Sequence, residues 1–115
     1  MQQLFSRTFS MTKFTLKALL ITTFLLITSC CDTDSIPSKT NTLYSSSAKE
    51  RNKAALDLAR CGSRAGGAVP KLAELLYDEN VGVQSSAAYA LRQIDTPNAR
   101  AVLERAENAR RKRSQ

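Results

Sequence analysis

Ala54-Ala55-x-x-Leu58-x-x-Cys61 returns 33 residues later as Ala87-Ala88-x-x-Leu91-x-x-Ile94. Ala68-x-x-x-Leu72 returns 31 residues later as Ala99-x-x-x-Leu103, so the second inter-helix connection is two residues shorter than the first. Self-similarity at this period marks a chain built from supersecondary units, none of which buries its apolar face alone. Such units must stack. About two of them are present, fewer than the three or so that usually make a stack stable, so the ends must be capped by polar faces or covered by a partner.

The local signals inside the repeat are helical. Ser47 and Glu50 fit a Ser-x-x-Glu capping box. Ala54, Ala55, Leu58 and Cys61 follow as an apolar stripe, and Gly62 reads as a stop. A second helix is expected over about 67–77, with Val69, Leu72, Ala73 and Leu76 on one face and Pro70 in the first turn. After the polar turn Asp78-Glu79-Asn80, a third helix carries Val83, Ala87, Ala88, Leu91 and Ile94. Thr96-Pro97 opens a fourth, with Ala99, Val102, Leu103 and Ala106 inward. Four helices on short turns predict an all-α body over 48–109, with Leu58, Leu72, Leu76, Leu91 and Leu103 in one core. The Ala54/Ala55 and Ala87/Ala88 pairs let helices approach closely. Cys61, at the position of Ile94, reads as a small buried hydrophobe rather than a reactive thiol.

Two stretches of this body carry a family resemblance. Ala68-Val69-Pro70-Lys71-Leu72-Ala73-Glu74-Leu75-Leu76-Tyr77-Asp78 and Val83-Gln84-Ser85-Ser86-Ala87-Ala88-Tyr89-Ala90-Leu91 resemble HEAT-like repeats of the phycobilisome-lyase type. That pattern runs roughly Ala-Val-Pro-x-Leu-x-x-Leu-Leu-x-Asp, then Val-Arg-x-x-Ala-Ala-x-Ala-Leu. The resemblance covers about 49–106 and implies a short α–α solenoid. Gln84 stands where the family usually has Arg, and Asp95 where a helix-ending Gly is common.

The N-terminal third reads differently. Lys13 and Lys17 precede an 11-residue apolar run, Ala18–Thr28, and then Ser29, Cys30 and Cys31. The run is short of the roughly 20 residues that span a bilayer. Charge, short apolar core, small residues and cysteine in this order form an export signal. Ile27-Thr28-Ser29-Cys30 resembles the lipobox of bacterial lipoproteins. The resemblance implies cleavage after residue 29 and acylation of Cys30, with a diacylglyceryl group on sulfur and a fatty acid such as palmitate. Ser29 suits the position before the cut better than Cys30 would, which selects Cys30 over Cys31. Met11-Thr12-Lys13 makes a compact start by itself, so translation from Met11 is the alternative to Met1. Asp32 does not directly follow Cys30, which favours the outer membrane in a cell that has one.

Residues 30–47 then read as the lipidated cysteine and a flexible linker. Asp32–Ser47 is polar, Ser/Thr-rich and interrupted by Pro37. As random coil it would hold the body about 20–25 Å from the anchor. Leu43 and Tyr44 are placed to pack back on the first helix, as a hydrophobic staple does.

Charge and composition exclude several activities. The chain has 17 Lys+Arg against 10 Asp+Glu. Three of those bases lie in the leader and four are Arg110, Arg111, Lys112 and Arg113, so the body is near neutral. The high overall charge therefore gives no support to a nucleic-acid partner. There is no histidine, no Cys-x-x-Cys, no phosphate-binding glycine loop and no nucleophile elbow. The sequence offers no catalytic residue, no cofactor site and no metal site. The 110–115 tail suits the negative end of a helix dipole, and its four bases are also suited to anionic lipid headgroups.

The expectation is a lipid-anchored envelope protein, not an enzyme, whose small repeat module binds a protein partner of unknown identity. Lys71, Tyr77, Gln84, Tyr89 and Arg92 are the expected contact residues on one side of the stack. The two tyrosines read as edge-of-core residues rather than ligand stackers. Two other classes remain open: a subunit related to bilin lyases or to another HEAT-associated enzyme, and a small structural lipoprotein in which only the anchor matters.

Overall fold

The computed structural model describes residues 31–115; the leader, the choice of start codon and Cys30 lie outside the described residues. A single 3-10 turn, Thr33–Ser35, leads into five helices: α1 (Ile36–Thr42), α2 (Ala48–Arg60), α3 (Val69–Leu75), α4 (Val81–Ile94) and α5 (Pro97–Arg113). Among the described residues there is no strand. α2 with α3, and α4 with α5, are the two units read from the repeat, and the two leading helices α2 and α4 make the largest interface. A 3-10 segment over Gly62–Ala68 joins α2 to α3, whereas Asp95 and Thr96 alone join α4 to α5.

The apolar stripes meet in one core. Leu58, Leu72, Leu76 and Leu91 are buried there, with Ala54, Ala55 and Ala87 at the α2–α4 contact. Leu103 is a partial correction: it is only half-buried and packs against the edge of the core with Val102. The reason is its place on the last helix. Residues thirty-one positions on from Val69 and Leu76 are Arg100 and Glu107, both exposed. The outer face of α5 is thus polar, as a terminal cap must be.

The expected linker is corrected most. Residues 36–42 form α1, which packs on α2, and Leu43 behind it is wholly buried. Pro37 opens this helix rather than interrupting it, because its missing N–H falls in the first turn. The hydroxyls that suggested a tether are satisfied within the helix: Thr40 Oγ1 donates to the Ile36 carbonyl at 2.9 Å, and Thr42 Oγ1 to that of Ser38 at 3.0 Å. α1 covers the open side of the first unit, so it is the N-terminal cap.

One of the two expected caps holds and one does not, and Asn80, expected only as part of a polar turn, adds another. Thr96 accepts from the Ala99 N–H at 3.3 Å, and Asn80 caps α4 through the Val83 N–H at 3.2 Å. Ser47 occupies the cap position of α2, but its side chain makes no capping bond. Ser45 stands in between: its hydroxyl donates to Glu50 and accepts from the Ser47 N–H at 3.2 Å. The reach of Glu50 back to the cap therefore passes through one extra hydroxyl.

The helix ends also repeat. Gly62 has φ +55° and Asp95, thirty-three residues on, has φ 47°, so each unit turns through one left-handed residue. That conformation disfavours a Cβ by roughly 1 kcal/mol. Asp95 gains an ion pair with Arg100 at 3.4 Å, but both side chains are exposed and such pairs contribute little. Asp95→Gly is expected to raise stability by about 1 kcal/mol and Gly62→Ala to lower it by a similar amount, as read by thermal melts.

Cys61 is the third correction. It is buried, but it is not a packed thiol: it is disulfide-bonded to Cys31, with Cα atoms 5.1 Å apart. The bond ties the start of the described chain to the C-terminal end of α2.

Candidate interaction surface

Arg51 lies on the buried side of α2, one turn before Ala54 and Ala55, and reaches the turn after α3. Its Nε and Nη2 donate to the two carboxylate oxygens of Asp78, each at 2.9 Å. Nη1 donates to the carbonyls of Ser45 and Ser46, also at 2.9 Å each. One guanidinium thus holds together the α1–α2 loop, α2 and the α3–α4 turn. Planar, two-pronged pairing of this kind is what Arg does and Lys does not. Asp78 Oδ1 also accepts from the Asn80 N–H at 2.9 Å, and Gln84 Nε2 donates to the Asp78 carbonyl.

The hydrogen bonds from Arg51 hold the Asp78 carboxyl below the usual carboxylate range. A depressed acid stabilises the fold fully above its unfolded pKa, near 4, and loses that contribution as pH falls through the lower folded value. Thermal midpoints should therefore decline below about pH 4, and Asp78→Asn should flatten that decline while lowering the neutral-pH midpoint. Arg51→Leu is expected to destabilise more than Arg60→Leu or Arg100→Leu, whose ion pairs are largely exposed.

Two depressions run between α4 and the end of α5. Leu76, Tyr77, Gln84, Ala109, Arg110 and Arg113 line one of about 350 Å³. Val81, Gln84, Ser85, Ala88, Arg92 and Arg110 line the other, of about 310 Å³. Gln84 and Arg110 belong to both, so the two form one open groove. Tyr77, Gln84 and Arg92 of the expected contact set line it. Tyr89 is exposed on α4 outside the lining. Lys71 is drawn elsewhere: its ammonium lies 4.0 Å from the centre of the Tyr44 ring and 2.7 Å from Glu74. Val81, 71% exposed, was missed because a lone apolar residue at a helix start carries no periodic signal. The four C-terminal bases, Arg110–Arg113, form the last turn of α5, where they suit the helix dipole.

The HEAT-repeat family matches residues 37–114, from the first turn of α1 to the end of α5. The chain belongs to the HEAT-repeat family. No curated protein and no solved structure matches it. The family supplies a repeat scaffold whose stacked helices offer extended surfaces for protein partners. The internal repeat also relates the Arg51–Asp78 pair to two positions of the second unit. Thirty-three residues after Arg51 is Gln84, and thirty-one after Asp78 is Ala109. The first repeat has a buried ion pair at these positions, and the second has neither member of it. Among the described residues, no group of three or more His, Cys, Asp or Glu is arranged to hold a metal, and no helix is long and apolar enough to cross a membrane.

Proposed function

We propose that this HEAT-repeat protein is exported, lipid-anchored through Cys30, and works at the cell envelope as a module that binds a protein partner. The observation that carries the reading is the Cys31–Cys61 disulfide. Disulfides persist in oxidising compartments and are rare in the cytosol, so the bond supports the export signal read from the leader. It also separates the roles of the adjacent cysteines: Cys31 is engaged with Cys61, which leaves the Cys30 thiol for the acyl chain.

Cys31 is held at the end of α2 where Gly62 and the α4–α5 turn also lie. From that turn the 17 residues of α5 run back for about 25 Å to Arg113, beside Tyr77. Arg110 and Arg113 line the groove with Tyr77, which favours a protein partner for them, while Arg111 and Lys112 stay suited to anionic headgroups. The residues after Cys30 favour outer-membrane placement where the cell has one.

Labelling with a fatty-acid analogue tests the anchor. Cys30→Ser should abolish labelling and leave a longer precursor, whereas Cys31→Ser should label fully; loss of label in the second alone would assign the lipid to Cys31. Turnover or tight binding of a tetrapyrrole by the purified protein would favour the bilin-lyase-related reading suggested by the repeat sequence.

A further inference from the structure

We infer that the groove between α4 and α5 receives a carboxylate-bearing segment of a partner protein, which takes the place of the acid missing at Ala109. The inference rests on reading the protein as an interaction module and names the chemistry of what it binds. In the first repeat, the Asp78 carboxylate holds the Arg51 guanidinium through two hydrogen bonds, and the Gln84 amide donates to the backbone carbonyl of the same residue. The equivalent place in the second repeat is Ala109, in the groove wall, with Arg110 and Arg113 beside it and Arg92 further along. No carboxylate lines either depression. Among the described residues, Arg92, Arg110 and Arg113 form no ion pair, while Glu74 and Asp95 are paired with other bases.

Three guanidinium groups from two helices, with no acid among them, match bidentate acceptors. Exposed Tyr77 and Val81 add a ring and an apolar contact at the same end. Arginine and tyrosine around a partly apolar centre are the residues that dominate protein interfaces. A second copy stacked on α5 does not fit, because the outer face of that helix carries Arg100, Glu104 and Glu107 where a stacking unit needs apolar residues.

The test uses the full chain in detergent with a fluorescein-labelled peptide of Glu and Leu, and the same peptide with every Glu replaced by Lys. The acidic peptide should bind and the basic one should not. Arg110→Glu and Arg113→Glu should each weaken binding about tenfold or more, with the circular-dichroism spectrum and melt retained. Arg111→Glu and Lys112→Glu make the same charge change outside the groove and should alter affinity by less than about twofold. Ala109→Asp should block the peptide by supplying the acid from within the chain. Equal loss from Arg110→Glu and Arg111→Glu, or undiminished binding by Ala109→Asp, would overturn the proposal. So would binding to phosphatidylglycerol vesicles, rather than to the peptide, that is lost in the groove variants. Failure of Cys30 to label would overturn the anchor and leave this result standing; absent peptide binding with Cys30 labelled would overturn the groove alone.

Discussion

Cys61→Ala is expected to lower stability by about 3–4 kcal/mol, the loop-closure value for a cross-link of this span. The bond joins positions 30 residues apart, and that segment contains α1 and all of α2. Opening it frees the end of the chain that covers the first repeat, so α1 and Leu43 should loosen before the α2–α4 interface does. Cys61 is small and Ala fills most of its volume, so the loss reports the cross-link more than packing. The check is a melt with and without reductant. Reductant should bring the unsubstituted protein down to the Cys61→Ala midpoint and leave that variant unmoved. An unchanged midpoint on reduction would mean that the bond does not contribute to the fold.

Leu91→Ala is expected to cost about 2–5 kcal/mol. Leu91 is wholly buried on α4 and stands thirty-three residues after Leu58, which is wholly buried on α2. A described body of this size has a total stability of about 5–10 kcal/mol, so one such cavity removes much of it. Leu103→Ala, on the half-buried edge of the same core, should cost clearly less. Chemical denaturation read by circular dichroism gives both values. Equal losses at the two positions would show that α5 is packed as deeply as α4.

The repeat made the α2–α5 body legible because its signals are periodic. Alanine pairs, a leucine one turn on and Pro70 or Pro97 in a first turn recur at fixed offsets, and each has a local physical meaning. α1 was not legible in the same way. Its seven residues, Ile36–Thr42, carry one apolar side chain, so no stripe can be counted, and its Thr hydroxyls look like linker until their carbonyl partners are known. Leu43 was the usable clue, since a staple position needs a helix to staple. The disulfide was hidden for another reason: connectivity among three cysteines is not encoded in spacing. Equivalence to Ile94 gave the burial of Cys61 but was silent about Cys31.

The groove was half-legible. Tyr77, Gln84 and Arg92 were identified from exposure on a presumed face, whereas Arg110 and Arg113 were read as a basic helix end or lipid contact, because a run of bases has no apolar stripe that shows which way it faces. Arg51 escaped notice although the offset that relates Leu58 to Leu91 also relates it to Gln84. The absence of the family Arg at position 84 was visible; that its counterpart at position 51 closes a buried pair with Asp78 needed the fold.

The most direct test of the account is the mass of the mature protein's N-terminal peptide, isolated from envelope fractions without reductant. The account predicts a chain beginning at Cys30, carrying diacylglyceryl and fatty-acyl mass on that residue, with Cys31 linked to the peptide containing Cys61. An unmodified Cys30 within an uncleaved leader, or an acyl chain on Cys31 with Cys61 free, would contradict it.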